Sequence, residues 1–430
     1  MISSQKKRIF LVFIILSFYS GSAYSASYYV ANTGCNNSYP GSEAQPWCSI
    51  PTSIGKLSPG DTLYVKGGTY QDHNIYLTGK SGTESQPITV KAYPGQTPII
   101  RGSGYTGNRN RFTNCNYFIF DGFTITNMNQ GVFIEGSNNF ILRNNKVYDI
   151  GQEAVRVYVN SSYVTIDNNI IYDTGKYIYN GEGVYIGTAD DASPDDNSHH
   201  ITVKNNLIYN TKDEGIELKS GTHDCIIDNN VIYDGLQDSA YDTQYGVGII
   251  EVNPAVGTHP QHWESNPNHI VRNNTIYGTK AINKTAINLS TGSTAYNNVI
   301  YGMTGSFRGI SIGGDTYPRK VYHNTVDLPS SRAIVPVGSP VADIRNNIGP
   351  ATSGNLATSD AYYVNKAGRD YHLVSGSAPI DAGVDLTGTV PIDRDGKNRP
   401  IGMAPDLGAY EYLSGTSAKI PNPPSNLQVY

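Results

Sequence analysis

The chain has 430 residues and a formal net charge of −5 from 31 basic and 36 acidic side chains. That balance makes nucleic acid a poor partner, and a charged fraction of only 16% is low for a helical protein. With 45 Gly, 33 Tyr, abundant Asn, Ser and Thr, and sparse Leu, the composition points to all-β structure with many turns.

Residues 1–25 have the features of a secretory signal peptide. Lys6, Lys7 and Arg8 precede the apolar run Ile9 to Phe18, and Ala23-Tyr24-Ser25 supplies small residues for cleavage. A run of roughly ten apolar residues is too short to cross a bilayer. The expectation is a secreted or periplasmic protein with no membrane span after cleavage. Export permits disulfides, and Cys35 and Cys48, 13 residues apart around a Gly/Ser/Pro loop, are expected to pair.

Residues 26–61 read as an N-terminal cap. Pro46 to Leu57 suits a short amphipathic helix that would cover apolar residues and unpaired strand edges at an open end. Beyond it comes a repeat: an Asn pair, an apolar residue and usually a Tyr. It occurs at Asn144-Asn145, Asn168-Asn169, Asn205-Asn206, Asn229-Asn230, Asn273-Asn274 and Asn297-Asn298, at steps of 24, 37, 24, 44 and 24 residues. One coil is repeated, and two coils carry insertions. Each coil closes once around a solenoid and stacks on the next at about 4.8 Å.

Val164, Ile166, Ile201, Val203, Ile226 and Ile270 precede the pairs and are expected to point inward. Asn tolerates the left-handed backbone such a corner needs, and stacked Asn amides can form a hydrogen-bonded ladder. His323-Asn324 and Asn346-Asn347 close the series, so coils span residues 62–350, about 10–11 in all. Cys115 and Cys225 fall on coils too far apart to bridge and are expected as buried free thiols without a catalytic role. Residues 351–412 read as a C-terminal capping segment, with Asp393 and Asp395 in a plain Asx turn. Residues 413–430 read as a linker or tail.

The opening Tyr28-Tyr-Val-Ala-Asn32, Gly60-Asp-Thr-Leu-Tyr-Val65 and Gly67-Gly-Thr-Tyr70, together with the Asn coils, resembles bacterial proteins of the pectin-lyase-like superfamily over about residues 28–350. The resemblance implies a right-handed parallel β-helix. It does not imply one activity, because many chemistries share that scaffold.

Function is sought where the repeat is interrupted. Extra chain falls at Lys176–Glu182, Thr188–His199, Gly235–Tyr245 and Glu251–His269, flanking one strand column made of 155–158, 184–187, 216–219 and 247–250. A short coil between long loops forms a cleft, and long loops on a rigid scaffold concentrate function. Alternation sends Val155/Val157, Val184/Ile186, Ile216/Leu218 and Val247/Ile249 inward. Arg156/Tyr158, Tyr185/Gly187, Glu217/Lys219 and Gly248/Ile250 then face out. The exposed floor would show Arg156, Tyr185, Glu217 and Lys219, with Asp213 and Glu214 at its entrance, which suits an anionic sugar chain.

Asp213-Glu214-Gly-Ile-Glu217 is similar to the Asp-Asp-Gly-x-Asp run of family-nine pectate lyases, with Glu182 at the place of that family's earlier acid. This implies Ca2+ held by Glu182, Asp213, Glu214 and Glu217, an all-oxygen set that fits a hard cation. The ion would neutralise a uronate carboxylate and acidify its C5 proton. The family's lysine base would fall on Gly246-Val-Gly248, where this chain has none. Glu217-Leu-Lys219-Ser220 looks like the Lys-Ser motif of family-six polysaccharide lyases, which makes Lys219 the candidate base; that family's arginine has no match on the next coil, and Arg156 stands two coils away on the other side. Glu217 beside Lys219 opposes its deprotonation unless Ca2+ occupies the carboxylate, so metal and base form one linked expectation.

The expected function is a Ca2+-assisted polysaccharide lyase acting as a monomer on an acidic extracellular glycan. A glycoside hydrolase pairing Glu217 with Asp213, Glu182 or Glu251 is an alternative, as is a non-catalytic glycan-binding or surface protein. Tyr185, Tyr245 and Trp263 are candidates for contact with sugar in any of these. His199-His200 and His259/His262 match no structural zinc spacing.

Overall fold

The computed structural model describes residues 25–71, 74–177, 180–188, 196–219, 221–236, 248–252, 267–279, 284–289, 292–313 and 317–414. The expected leader and most of the expected tail lie outside them. Strands from successive coils form three long parallel sheets of 12, 10 and 12 strands. Leu142, Ile166, Val203, Ile227, Val271, Ala295 and Val321 follow one another in register along one sheet, all fully buried. This is the solenoid core, a right-handed parallel β-helix.

The pairing corrects two inward assignments. Ile227 and Val271 fill the core, while Ile226 and Ile270 are half-exposed on the other face. Two adjacent apolar residues in each strand satisfy either alternation, so only the neighbouring coil decides between them.

The Asn pairs divide their labour. The first member takes the left-handed conformation, with φ between 54° and 57° at Asn144, Asn168, Asn205, Asn229, Asn273 and Asn297. The second is buried and forms the ladder. Asn206 donates from Nδ2 to the Ile166 carbonyl at 2.9 Å and to Asn230 Oδ1 at 3.0 Å, and its own Oδ1 accepts from the Asn169 backbone N–H at 2.9 Å. The pattern repeats from Asn145 to Asn347 and ends on Asn355. The chain of amides pairs backbone carbonyls such as those of Leu142, Ile166, Val203, Ile227 and Val271 at the corner, where water cannot reach. Outside it, Tyr148, Tyr172, Tyr209, Tyr233, Tyr277 and Tyr301 stack ring on ring at 4.7–5.2 Å.

At the N-terminal end a helix covers Ile50–Lys56, capped by the Ser49 side chain on the Thr52 N–H, and Ile50 and Ile54 enter the core. Cys35 and Cys48 are bonded, with Cα atoms 5.2 Å apart. Cys115 and Cys225 are buried free thiols, and burial pushes the Cys115 thiol up to about 11. The C-terminal segment runs along the Asn corner of the last coils. Arg394 donates to the Asn274 carbonyl, and Arg399 pairs with Glu411 at 2.5 Å with both side chains fully buried. Asp393 Oδ1 accepts from the backbone N–H of Asp395 and Lys397, the Asx turn read from the sequence.

Candidate active site

The strands Val155–Tyr158, Val184–Ile186, Ile216–Leu218 and Gly248–Val252 are neighbours in the ten-stranded sheet. Their core-facing residues pack with the hydrophobic interior, and every second residue faces away from it. Pairing sets the outward column as Phe133, Arg156, Tyr185, Glu217, Glu251 and Asn288, one per coil. The last coils correct the sequence reading. Ile250 and Val252 lie in the core opposite Ile216 and Leu218, so Ile250 does not face out. The floor position after Glu217 is Glu251, and it is a carboxylate, not glycine. An insertion breaks the count between coils, and Gly-Val-Gly-Ile-Ile alternates acceptably in either phase.

A second acidic column stands at the entry to these strands. Backbone bonds from Gly131 to Glu153, Ala154 to Glu182 and Gly183 to Glu214, at 2.9–3.1 Å, place the three glutamates on successive coils at one corner. Glu153 was missed from the sequence. The signal was present, a Glu followed by Ala or Gly and then Val or Ile at 153, 182 and 214. One carboxylate oxygen from each of Glu182, Glu214 and Glu217 lies within 4.8 Å of the others, and all three residues are buried.

Electrostatics follow from that crowding. Burial, then the charges of Glu217, Glu153 and Asp213, hold the Glu182 carboxyl well above the usual range. Burial and the charges of Glu217, Asp213, Glu182 and Glu251 do the same to Glu214. Glu153 is compensated by Gln130 at 3.0 Å and Arg156 at 3.3 Å. Glu251 accepts from Asn288 Nδ2 at 2.7 Å.

The structure brings together most of the residues singled out by sequence. Lys219 Nζ lies 2.6 Å from Glu217 Oε1 and 5.3 Å from the Tyr185 ring centroid. Arg156 packs on the other side of Tyr185 at 4.7 Å. Asp213 is half-buried nearby, but its carboxylate is not within the tight trio of Glu182, Glu214 and Glu217. The floor is not the exposed surface expected. Tyr185 is 4% exposed and Glu217 4%, because cationic side chains cover the ring and the carboxylates close over one another. Tyr185 therefore has no open face for stacking on sugar. Tyr245 and Trp263 lie outside the described residues.

Three converging, buried carboxylates with two cationic side chains at their edge fit a hard divalent cation. Each oxygen is stripped of water and repelled by its neighbours, a cost that Ca2+ would reverse, and oxygen-only donors match its preference.

A right-handed parallel β-helix whose loop-flanked sheet carries a carboxylate cluster is the class defined by this fold and site. Residues 28–315 match the family model described as Pel9A-like, right handed beta helix region, and the chain belongs to that family. Pectate lyase L of Dickeya dadantii is 24% identical over 428 residues, covering 91% of this chain and 92% of that protein. Pectate lyase PEL9 of Emericella nidulans is 37% identical over 84 residues, a match spanning only 20% of its length. Among solved structures, pectate lyase Pel9A superposes with a TM-score of 0.63 at 19% identity, covering 91% of this chain and 98% of that one. An alginate lyase from Paenibacillus sp. str. FPU-7 gives 0.55 at 18% identity, covering 77% and 99%. These two structures share the fold. Among the described residues no helix is long and apolar enough to cross a membrane.

Proposed function

We propose that the protein is a secreted polysaccharide lyase that carries out cation-assisted β-elimination on a uronate-containing glycan. The observation that carries this reading is the buried trio Glu182, Glu214 and Glu217 with Lys219 bonded to one of its members. The names of its relatives, pectate lyases over most of the chain in one case, support it.

Glu182, Glu214 and Glu217 would hold Ca2+, with Asp213 beside them. When bound, the ion supplies neutralisation of the substrate carboxylate and acidifies the C5 proton. Lys219 is the base. Its contact with Glu217 favours the ammonium form, so it accepts a proton only when the Glu217 charge is engaged elsewhere. The C5 proton then passes to Nζ, the electron pair forms the C4–C5 double bond, and the glycosidic oxygen leaves. Arg156, held by Glu153 and stacked on Tyr185, keeps Tyr185 in place and adds positive potential on the side facing an anionic chain.

One observation favours a second reading. Glu217 and Glu251 are direct partners on adjacent strands. A strand spacing of about 4.8 Å approaches the roughly 5 Å separation of a retaining glycosidase pair.

The discriminating experiment incubates the protein with polygalacturonate or alginate and Ca2+ while following the ultraviolet absorbance of unsaturated products. The expected result is growth of that signal, abolished by chelator and by Lys219→Ala. New reducing ends without absorbance would replace the lyase by a hydrolase, and saturable binding with neither would make the protein a glycan-binding module.

A further inference from the structure

Three histidines gather at the opposite end of the strands from the carboxylates. His199 and His223 follow Val184–Ile186 and Ile216–Leu218 just as Glu182 and Glu214 precede them. They are successive members of a bridge column with Asn138 and Ser162, and their rings stack at 4.7 Å with an interplanar angle of 12°. His200 adopts φ 53°, a left-handed turn that swings its ring back beside that of His199. The two Nδ1 atoms are 2.7 Å apart.

That contact is a hydrogen bond between the two rings, and it holds two nitrogens at a spacing that a cation can bridge in place of the shared proton. A cation bound to both would hold them about 3 Å apart, given metal–nitrogen bonds of about 2.0–2.1 Å. His223 is oriented separately. Its Nδ1 bonds Asp224 Oδ2 at 2.7 Å, and Asp224 Oδ1 accepts from Asn268 Nδ2 at 2.8 Å. A carboxylate on one ring nitrogen fixes the tautomer and raises the basicity of the ring. His200 is exposed and His199 and His223 half-buried, so an ion can reach them. Spacing along the chain hides this set, because His223 comes from the next coil.

We propose that His199, His200 and His223 bind a borderline divalent cation such as Zn2+, Ni2+ or Cu2+, at a site separate from the carboxylate cluster. Imidazole nitrogens select these ions over Ca2+. His199 and His200 supply the pair of adjacent nitrogens, and His223, stacked flat on His199 with its Nδ1 on Asp224, joins them by giving up that bond and that stack when the ion binds. The bound ion links two neighbouring coils where the chain leaves one insertion.

The test uses untagged, chelator-stripped full-length protein with Ca2+ in excess to fill the carboxylates. Zn2+ is titrated calorimetrically, and Cu2+ binding is followed by electron paramagnetic resonance. The expected result is one equivalent of Zn2+ and a Cu2+ signal with nitrogen hyperfine structure, weakened roughly tenfold or more in His200→Asn and in His223→Asn. His200 is exposed, so its variant tests binding without disturbing the fold. A Cu2+ signal without nitrogen coupling overturns the proposal. So does affinity that survives in His199→Asn/His200→Asn, or that is lost only in Glu182→Gln or in His259→Asn/His262→Asn.

Discussion

Glu251 pairs directly with Glu217 across adjacent strands, so two carboxylates face the same way on neighbouring coils. Like charges opposite each other in a sheet are destabilising unless something offsets them. Asn288 bonds Glu251 and Lys219 bonds Glu217, yet Glu182 and Glu214 crowd the same space. The arrangement concentrates negative potential at one place.

Removal of the cation is the first consequence. Chelation should lower the melting temperature, and Ca2+ should restore it with a concentration dependence that follows mass action. Glu182→Gln should shrink that Ca2+-dependent shift while raising the stability of the metal-free protein, since one repelling charge is gone. Differential scanning calorimetry with and without Ca2+ checks both, and an identical shift in the variant would exclude Glu182 as a ligand.

Lys219→Ala should lower kcat by about two to four orders of magnitude, the usual share of a general base. KM should change little. Glu217→Gln should cost comparably, because it removes both a ligand and the partner of Lys219. Steady-state kinetics on the best polyuronate decide this, and a wild-type rate in Lys219→Ala would move the base elsewhere, with Glu251 the first alternative.

The amide ladder should be expensive to interrupt. Asn206→Ala removes bonds to Ile166, Asn230 and Asn169 and leaves their groups buried without partners. At about 1–3 kcal/mol for an orphaned buried group, the loss should be roughly 3 kcal/mol, read as a shift of the urea midpoint.

Arg399 and Glu411 form a fully buried pair that fastens the C-terminal segment. Arg399→Met alone should cost about 3–5 kcal/mol by stranding Glu411, while the double variant Arg399→Met/Glu411→Met should recover much of it. Limited proteolysis should cut the single variant first within residues 380–412.

His372 carries a pH signature. Burial lowers its pKa, but the Asp395 and Asp370 carboxylates outweigh that and leave it above the ordinary value. A raised histidine contributes stability that is complete below its unfolded pKa of about 6.5 and is lost as pH rises through the folded value. Melting temperature should therefore fall across that window in the wild type. His372→Gln should flatten the slope, and an unchanged slope would remove His372 as its source.

The coil was legible in the sequence because Asn pairs in register with apolar residues leave little else that can be built. Glu217 and Lys219 were legible from alternation within one short strand, and Glu182 and Glu214 only through the resemblance to the family-nine motif. Legibility stopped at the insertions. Glu251 was placed in a loop and Ile250 on the surface because the number of residues in a loop says nothing about the phase in which the next strand starts. Glu153 went unnoticed because its coil carries no insertion to draw attention.

Sequence alone determined the solenoid and its Asn corner, both consequences of local pattern repeated along the chain, and a motif resemblance pointed to most of the acids. Only the tertiary structure decided that Glu251 faces Glu217, that Tyr185 is covered by Arg156 and Lys219, and that His223 joins His199 and His200. Each of those depends on register between coils, which is set by burying whole strands against their neighbours and not by any residue's own preference.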